Sequence, residues 1–102
     1  MYWVDLNPVI GGEISKIRPA VVVSDDSMNR YLNTVVVCPM TSQLHADWRS
    51  RIIVPCNNKH SEIAVDQIRT ISKLRIKSKI DSLNNTDAAL VRELINTMYG
   101  TA

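Results

Sequence analysis

Residues 11–24, GGEISKIRPAVVVS, contain the segment that decides the fold. The apolar run at 20–23 has the length of a buried β-strand. Arg18-Pro19 stands at its start, where the missing N–H of a proline is best tolerated. A Gly-Gly pair with Glu13 and Lys16 precedes the strand and is typical of a loop. The stretch therefore predicts a strand that is preceded, at its start, by one acidic and two basic side chains.

Short strand-like segments lie on both sides of this strand at close spacing. Each is rich in β-branched or alternating residues and is bounded by turn formers. The predicted strands cover 2–6, 18–24, 34–38 up to Pro39, 50–54 and, as one bent strand or two short ones, 62–71. A polar loop is expected after Pro39, and the segment 25–33 has room for one helical turn.

The segment after residue 84 predicts the main helix. Its apolar residues recur at helical spacing, namely Leu90, Val91, Leu94, Ile95 and Met98. Asn84, Asn85 or Thr86 can cap its start, and Gly100 can end it. Several short strands followed by one amphipathic helix favour a mainly β (α+β) fold, a small, partly open β-barrel with the helix packed on it.

Length and composition predict one globular domain over residues 1–102, with a modest core that dimerisation would enlarge. Hydrophobic residues make up 45% of the chain and charged residues 22%, and the net charge is +2. No apolar run reaches membrane-spanning length and no signal peptide is recognisable, so a cytoplasmic location is expected. Cys38 and Cys56 lack metal-ligand spacing and are expected to be reduced thiols.

Polar residues cluster where the predicted strands become loops, and no phosphate-binding glycine loop, metal-ligand motif or G-x-S-x-G motif accompanies them. A metal-dependent hydrolase is therefore disfavoured, and no cofactor is expected. Strand ends of a small barrel commonly share one rim, so we expect three groups to converge there: Glu13, Lys16 and Arg18; Thr41, Ser42 and Gln43; Asp66, Gln67, Arg69 and Thr70.

Basic residues are unevenly distributed, with five between 69 and 79 (Arg69, Lys73, Arg75, Lys77 and Lys79) and Arg49 and Arg51 beside Trp48. Such clusters with an aromatic suit single-stranded nucleic acid, through phosphate pairing and base stacking. They also suit a solvated surface without a ligand. Likewise, Arg18 either pairs with an acid or meets an anionic ligand, and Trp48 either stacks on a base or lies at the edge of the core.

Four motifs occur in order along nearly the whole chain: WVDLNP at 3–8, GGEISKIRPAVVVS at 11–24, NTVVVCPMTS at 33–42 and DQIRT at 66–70. In these motifs the chain resembles the MazF/PemK-like toxins of bacterial type II toxin–antitoxin systems. The resemblance implies an SH3-like barrel with a C-terminal helix, of the type that CcdB and MazF share, acting as a homodimer. It also implies a metal-independent endoribonuclease that cuts single-stranded RNA, such as mRNA, at a short sequence and is neutralised by a MazE-like antitoxin.

The resemblance also implies roles for individual residues. The family's catalytic arginine falls on Arg18 and its catalytic Thr or Ser on Thr41. Its acid, used in catalysis or RNA contact, falls on Asp66, and Gln67 matches a position that helps to read bases. The loop over 9–17 matches a mobile loop that closes over the substrate. The remaining residues expected to bind RNA are Lys16, Ser42, Gln43, Trp48, Arg49, Arg69 and Lys73.

The chain departs from the family pattern at Gly12, where some members have a histidine, and at Ala64, where some have an arginine. It also starts later than members usually do, so either the first strand is short or the start site is misassigned. Metal-free cleavage can use the substrate's 2′-OH as nucleophile, which requires charge stabilisation and two proton transfers. Arginine side chains suit the first task and stay protonated at neutral pH, so Asp66 and Glu13 both remain candidates for the base.

Two other functions are compatible with the same fold. Gyrase poisons of the CcdB kind share the barrel without nuclease activity, but they depend on a C-terminal tip that bears tryptophan, and this chain ends in MYGTA. A non-catalytic SH3-like binding module is the second alternative. The matches at Arg18 and Thr41 favour the endoribonuclease over both.

Overall fold

The computed structural model of the chain describes residues 1–8, 10–14 and 16–100. Val9 and Ser15, which belong to the loop predicted over 9–17, lie outside the described residues. The strands are β1 (Tyr2–Asp5), β2 (Ile17–Val22), β3 (Thr34–Thr41), β4 (Arg51–Cys56), β5 (Lys59–Ala64), β6 (Arg69–Ser72) and β7 (Ile76–Lys79). The helices are α1 (Asp26–Tyr31) and α2 (Asn85–Tyr99), with 3₁₀ turns at Val65–Gln67 and Lys73–Arg75. Neither α-helix in this part of the chain is long and apolar enough to cross a membrane.

The described strands form one seven-stranded sheet in the order β4-β5-β3-β2-β1-β7, with β6 paired to β3. All pairs are antiparallel, and the sheet does not close on itself. The prediction of a mainly β, partly open architecture with a C-terminal helix is thus confirmed.

Strand β3 continues through Pro39 to Thr41, so the prediction that it ends at Cys38 was wrong. On one side β3 pairs with β2, where Ala20 faces Pro39. On the other side residues 34–37 pair with β6, whereas Met40 and Thr41 pair with β5. Pro39 lies between these two segments, where its missing N–H costs no ladder hydrogen bond on that side.

Strand β4 likewise extends past its predicted end, because Pro55 lies on a strand at the edge of the sheet. Its connection to β5 consists of Asn57 and Asn58 alone, since Cys56 pairs with Lys59. Both asparagines have positive φ, 52° and 64°, as a two-residue turn matched to the strand twist requires. This tight hairpin folds Asn57 and Lys59 back toward the ends of β2 and β3.

The core consists of two clusters, and successive residues of β2 belong to different ones. Val21 packs in a cluster with Met40, Ile63 and Val91 of α2, whereas Ala20 packs with Val4 and Val37. The segment 20–23 is therefore apolar throughout because both of its faces are covered. Cys38 and Cys56 are buried free thiols, as predicted, and burial raises the pKa of Cys38 to about 12.

Helix α2 has the capped start that the sequence predicts. The side-chain oxygen of Asn84 accepts the backbone N–H of Asp87 at 2.7 Å, and Gly100 ends the helix. Val91 is buried against the sheet, so the cap helps to hold a helix that covers part of the core.

The Asn84 cap gives a stability prediction. Asn84→Ala should lower the free energy of unfolding by about 1 kcal/mol, because it leaves an N–H of the first turn without a partner. Asn85→Ala, at the next residue, is the matched control and should change stability by less than about 0.5 kcal/mol. Urea unfolding followed by circular dichroism measures both, and equal losses in the two variants would contradict the assignment of the cap.

Candidate active site

A cavity of about 300 Å³ lies at the entrance of β2 and the end of β3. The β2–β3 register, with Ala20 opposite Pro39, places Arg18 across from Thr41 when continued by two residues. Lys16 and Ser42 line the cavity beside them. The structure thus brings together members of two predicted groups that are more than twenty residues apart in sequence.

Local hydrogen bonds fix the geometry of this first cavity. The Thr41 hydroxyl oxygen accepts the backbone N–H of Gln43 at 3.2 Å, which leaves the hydroxyl hydrogen to be donated elsewhere. Lys16 has a left-handed φ of 70°, and its backbone N–H donates to the Asn7 side chain at 3.1 Å. Its carbonyl accepts from Leu6 at 3.0 Å. A lysine and a hydroxyl are therefore held at the rim beside Arg18.

Sequence reasoning missed four polar or aromatic residues that line the first cavity: Trp3, Asn57, Lys59 and Ser61. Three of them belong to the β4–β5 hairpin or its turn. The Asn57-Asn58 pair indicated a turn, but a turn signal does not reveal which surface the hairpin approaches. Lys59 adds a positive charge to the wall formed by Lys16 and Arg18.

Three members of the third predicted group, Asp66, Gln67 and Arg69, line a second cavity of about 200 Å³ together with Glu13 of the first group, whereas Thr70 does not line it. Pro39 also lines it, and Pro39 is two residues before Thr41 on β3. The two cavities therefore follow one another along β3. Members of the three predicted groups are therefore divided between two cavities, and Gln43 and Thr70 line neither.

Hydrogen bonds tie the second cavity to the loop before β2. The Gln67 side-chain oxygen accepts the backbone N–H of Ile14 at 2.8 Å. One Glu13 carboxylate oxygen accepts the N–H of Ile10 at 3.1 Å, and the other lies 3.9 Å from Arg69. Arg69 in turn donates to the carbonyl of Leu6 at 3.3 Å. Gln67, predicted to read bases, thus uses its side-chain oxygen to hold this loop.

Asp66 is paired with Arg51, a contact that the sequence did not reveal. Arg51 donates to the two carboxylate oxygens of Asp66 at 2.7 and 3.3 Å. Burial disfavours the charged form of Asp66, but hydrogen bonds from Arg51 and Ser50 outweigh it and hold the pKa of Asp66 below its usual value. A carboxylate stabilised in this way is a weak proton acceptor.

Arg51 also binds Glu62, which is fully buried. Burial disfavours the charge on Glu62, but hydrogen bonds from His45 and Arg51 prevail and lower its pKa. For Arg51 the desolvation of its charge is outweighed by Asp66 and Glu62, so the pKa of Arg51 is raised. The four side chains form one charged network behind the end of β3.

Much of the basic run between 69 and 79 is engaged within the fold. Lys73 donates to the carbonyl of Asn29, and Arg75 to the carbonyls of Asp5 and Asn7. Lys73 and Arg49 line other surface depressions, apart from both cavities of the site. Within the described residues, no group of three or more His, Cys, Asp or Glu side chains could hold a metal ion.

The open antiparallel sheet with its C-terminal helix defines a small, mainly β protein. Its rim cavity carries an arginine, lysines and a threonine hydroxyl, groups whose chemistry suits a phosphate. The chain belongs to the family of PemK-like, MazF-like toxins of type II toxin–antitoxin systems, whose family model matches residues 1–99.

Individual relatives agree with this membership. The chain is 32% identical to the endoribonuclease MazF of Staphylococcus saprophyticus, over 98% of this chain and 88% of the relative. Its fold is similar to that of MazF from Deinococcus radiodurans, with a TM-score of 0.85 at 22% identity, covering 98% of this chain and 92% of the other. It is also similar to a mycobacterial endoribonuclease in complex with its cognate antitoxin, with a TM-score of 0.80 at 18% identity, covering 99% and 91%.

The ion pair of Asp66 predicts a pH-dependent stability. Because its pKa is depressed in the folded chain, the charged form stabilises the fold above about pH 4, and this contribution is lost as the pH falls through the folded value. Asp66→Asn should therefore be less stable than the parent chain at pH 7, with the difference shrinking toward pH 3. Urea unfolding at both pH values measures it. Asp47→Asn, which removes an exposed carboxylate outside the ion-pair network, is the control.

Proposed function

We propose that this chain is the toxin of a type II toxin–antitoxin pair and cleaves single-stranded RNA, including mRNA, at short sequences without a metal ion. The observation that carries the proposal is the first cavity, where Arg18 and Thr41 lie on neighbouring strands with Lys16 and Lys59 beside them. Positive charges and a hydroxyl donor suit a phosphodiester. Membership in the toxin family and the similarity to an endoribonuclease supply independent support.

The chemistry follows from these groups. The 2′-oxygen of the substrate gives up its proton and attacks the adjacent phosphorus, the bond from phosphorus to the 5′-oxygen breaks, and the departing 5′-oxygen takes a proton from water, so that a 2′,3′-cyclic phosphate and a 5′-OH result. Arg18 binds the non-bridging oxygens and stabilises the charge that grows in the transition state. Thr41 donates its hydroxyl hydrogen to the same phosphate, since its oxygen already accepts from Gln43.

A base must take the proton of the 2′-OH, and Glu13 suits this role better than Asp66. Both oxygens of Asp66 are bound by Arg51, whose hydrogen bonds lower its pKa. Glu13 is half-exposed and lies 3.9 Å from Arg69. In this proposal Asp66 maintains the ion-pair network, and Gln67 and Arg69 contact the nucleotide that enters the second cavity.

The partners follow from the neighbours of this fold. A mycobacterial endoribonuclease of the same fold was solved with its cognate antitoxin. We propose that this toxin is likewise neutralised in the cytoplasm by a cognate, MazE-like antitoxin, and that the active species is a homodimer. Incubation of the purified chain with single-stranded RNA in EDTA tests the core of the proposal, because cuts at a defined sequence with 5′-OH ends are expected. Intact RNA would contradict it.

Arg18→Ala and Thr41→Ala should each lower kcat/KM for RNA cleavage by about 10²–10³-fold, the usual effect of losing one donor to a transition-state oxygen. Arg30→Ala and Thr34→Ala remove the same side-chain types from exposed positions outside both cavities and should leave cleavage unchanged. Initial rates on a labelled RNA measure the effect, with circular dichroism to confirm folding. Near-normal rates in the two site variants would contradict their catalytic roles.

The hairpin lysine predicts a salt dependence. If Lys59 binds a phosphate of the RNA, Lys59→Gln should reduce the slope of log Kd against log salt concentration by about 0.7, the value for one contact to a single strand. Lys77→Gln, on the exposed face of β7, should leave the slope unchanged. Fluorescence anisotropy with RNA carrying a 2′-O-methyl group at the mapped cleavage site measures both. A lower slope in the Lys77 variant alone would place the RNA on the basic run instead.

A further inference from the structure

One buried carboxylate connects the catalytic strand to the loop that follows it. Glu62 on β5 is paired with Thr41 on β3 and has no exposed surface. Its Oε1 accepts the backbone N–H of His45 at 2.5 Å. Its Oε2 binds His45 Nδ1 and Arg51 Nη1, each at 2.8 Å. Glu62 therefore fastens the loop between β3 and β4, residues 42–50, directly behind Thr41.

The same network holds Trp48. The His45 ring is stacked on the indole with centroids 3.7 Å apart and planes inclined by 16°. The Arg51 guanidinium carbon lies 4.7 Å from the centre of the indole ring. Because both groups bind the same oxygen of Glu62, their nitrogens are within the sum of two 2.8 Å hydrogen bonds of each other. The imidazole and the guanidinium are therefore neighbours of each other and of the indole.

Trp48 itself is 49% exposed, so a large part of its side chain is accessible from solvent. An aromatic face held rigid by a network behind it is a stacking surface that needs little further ordering when a ligand binds. Base–aromatic stacking is a main source of affinity for single-stranded nucleic acid and tolerates any base. Trp48 lies in the loop that begins at Ser42, a residue of the first cavity.

We propose that Glu62 is a positioning residue for the RNA site: by binding His45 and Arg51 it fixes residues 42–50 so that the exposed part of the Trp48 indole stacks on a base of the substrate. This inference rests on the proposed RNA cleavage and adds to it a binding surface outside the two cavities. Glu62 does not touch the RNA and acts through His45, Arg51 and Trp48. Its loss should therefore weaken RNA affinity more than it slows the chemical step.

Glu62→Gln is the direct test, because glutamine preserves the shape of the side chain and removes the charge that binds His45 and Arg51. We expect KM for RNA to rise by about 10-fold, within the range that loss of one base stack produces, while kcat stays within about threefold. Trp48→Ala should raise KM by a similar or larger factor. Asp47→Asn, which removes a carboxylate from the same loop outside the network, is the matched control and should change neither constant.

A double-mutant cycle separates positioning from a general loss of stability. If Glu62 acts through Trp48, Glu62→Gln should have little further effect on KM in the Trp48→Ala background. A further variant tests the link at His45, which is partly exposed and tolerates change more readily. His45→Phe keeps the ring stacked on Trp48 but loses the hydrogen bond between Nδ1 and Glu62. It should therefore raise KM as Glu62→Gln does.

The outcomes distinguish this inference from the proposed function. No cleavage by the parent chain would contradict the ribonuclease assignment itself. Cleavage by the parent chain with an unchanged KM in Glu62→Gln, His45→Phe or Trp48→Ala would overturn the positioning role alone. The positioning role would also be overturned if the fold-changes in KM of Glu62→Gln and Trp48→Ala multiplied in the double variant. It would likewise be overturned if an altered size-exclusion profile of Trp48→Ala accounted for its weaker RNA binding.

Discussion

Strand β3 is the element on which the rest of the structure depends, because β2, β5 and β6 all pair with it. Before Pro39 it pairs with β6 and after Pro39 with β5, and the sheet stays open. If β3 ended at Cys38, Thr41 would have no strand partner and no fixed relation to Arg18. A proline, which typically ends a strand, is tolerated here because β3 changes its partner at this point. The first cavity lies just beyond it.

The charged network behind this strand end raises a question of energy. Removing two opposite charges from water costs much of what their attraction returns, and well-packed apolar replacements are often equally stable or more so. Glu62 is fully buried, and its pKa is lowered only because His45 and Arg51 satisfy it. Fold stability alone therefore does not require an acid at this position. What the acid supplies is direction, since a carboxylate bound by several donors sets the orientation of each of them.

Much of the fold could be predicted from local patterns. The caps and spacing of α2, the apolar run at 20–23 and the turn formers between strands depend on neighbours in sequence, and these predictions were confirmed. The ends of β3 and β4 could not be predicted, because whether a proline is tolerated depends on which strand lies beside it. The site was predictable to the extent that strand ends share a rim. Lys59 was missed because its role depends on which surface the β4–β5 hairpin approaches. Glu62 was missed because its partners His45 and Arg51, 17 or fewer residues away, are brought to it only by packing.

The division of the site into two cavities constrains the substrate. Arg18 and Thr41, which we propose to bind the phosphate, lie in the first, and the carboxylate of Glu13 lies in the second. On β3, Pro39 lines the second cavity and Thr41 lines the first. The two residues are two positions apart, or about 7 Å at the rise of a strand. A single nucleotide bound in the first cavity would place its phosphate against Arg18, but no proton acceptor would then lie at its 2′-OH. A ligand that continues along β3 reaches both cavities, so the geometry favours cleavage within an RNA strand over attack on a free nucleotide.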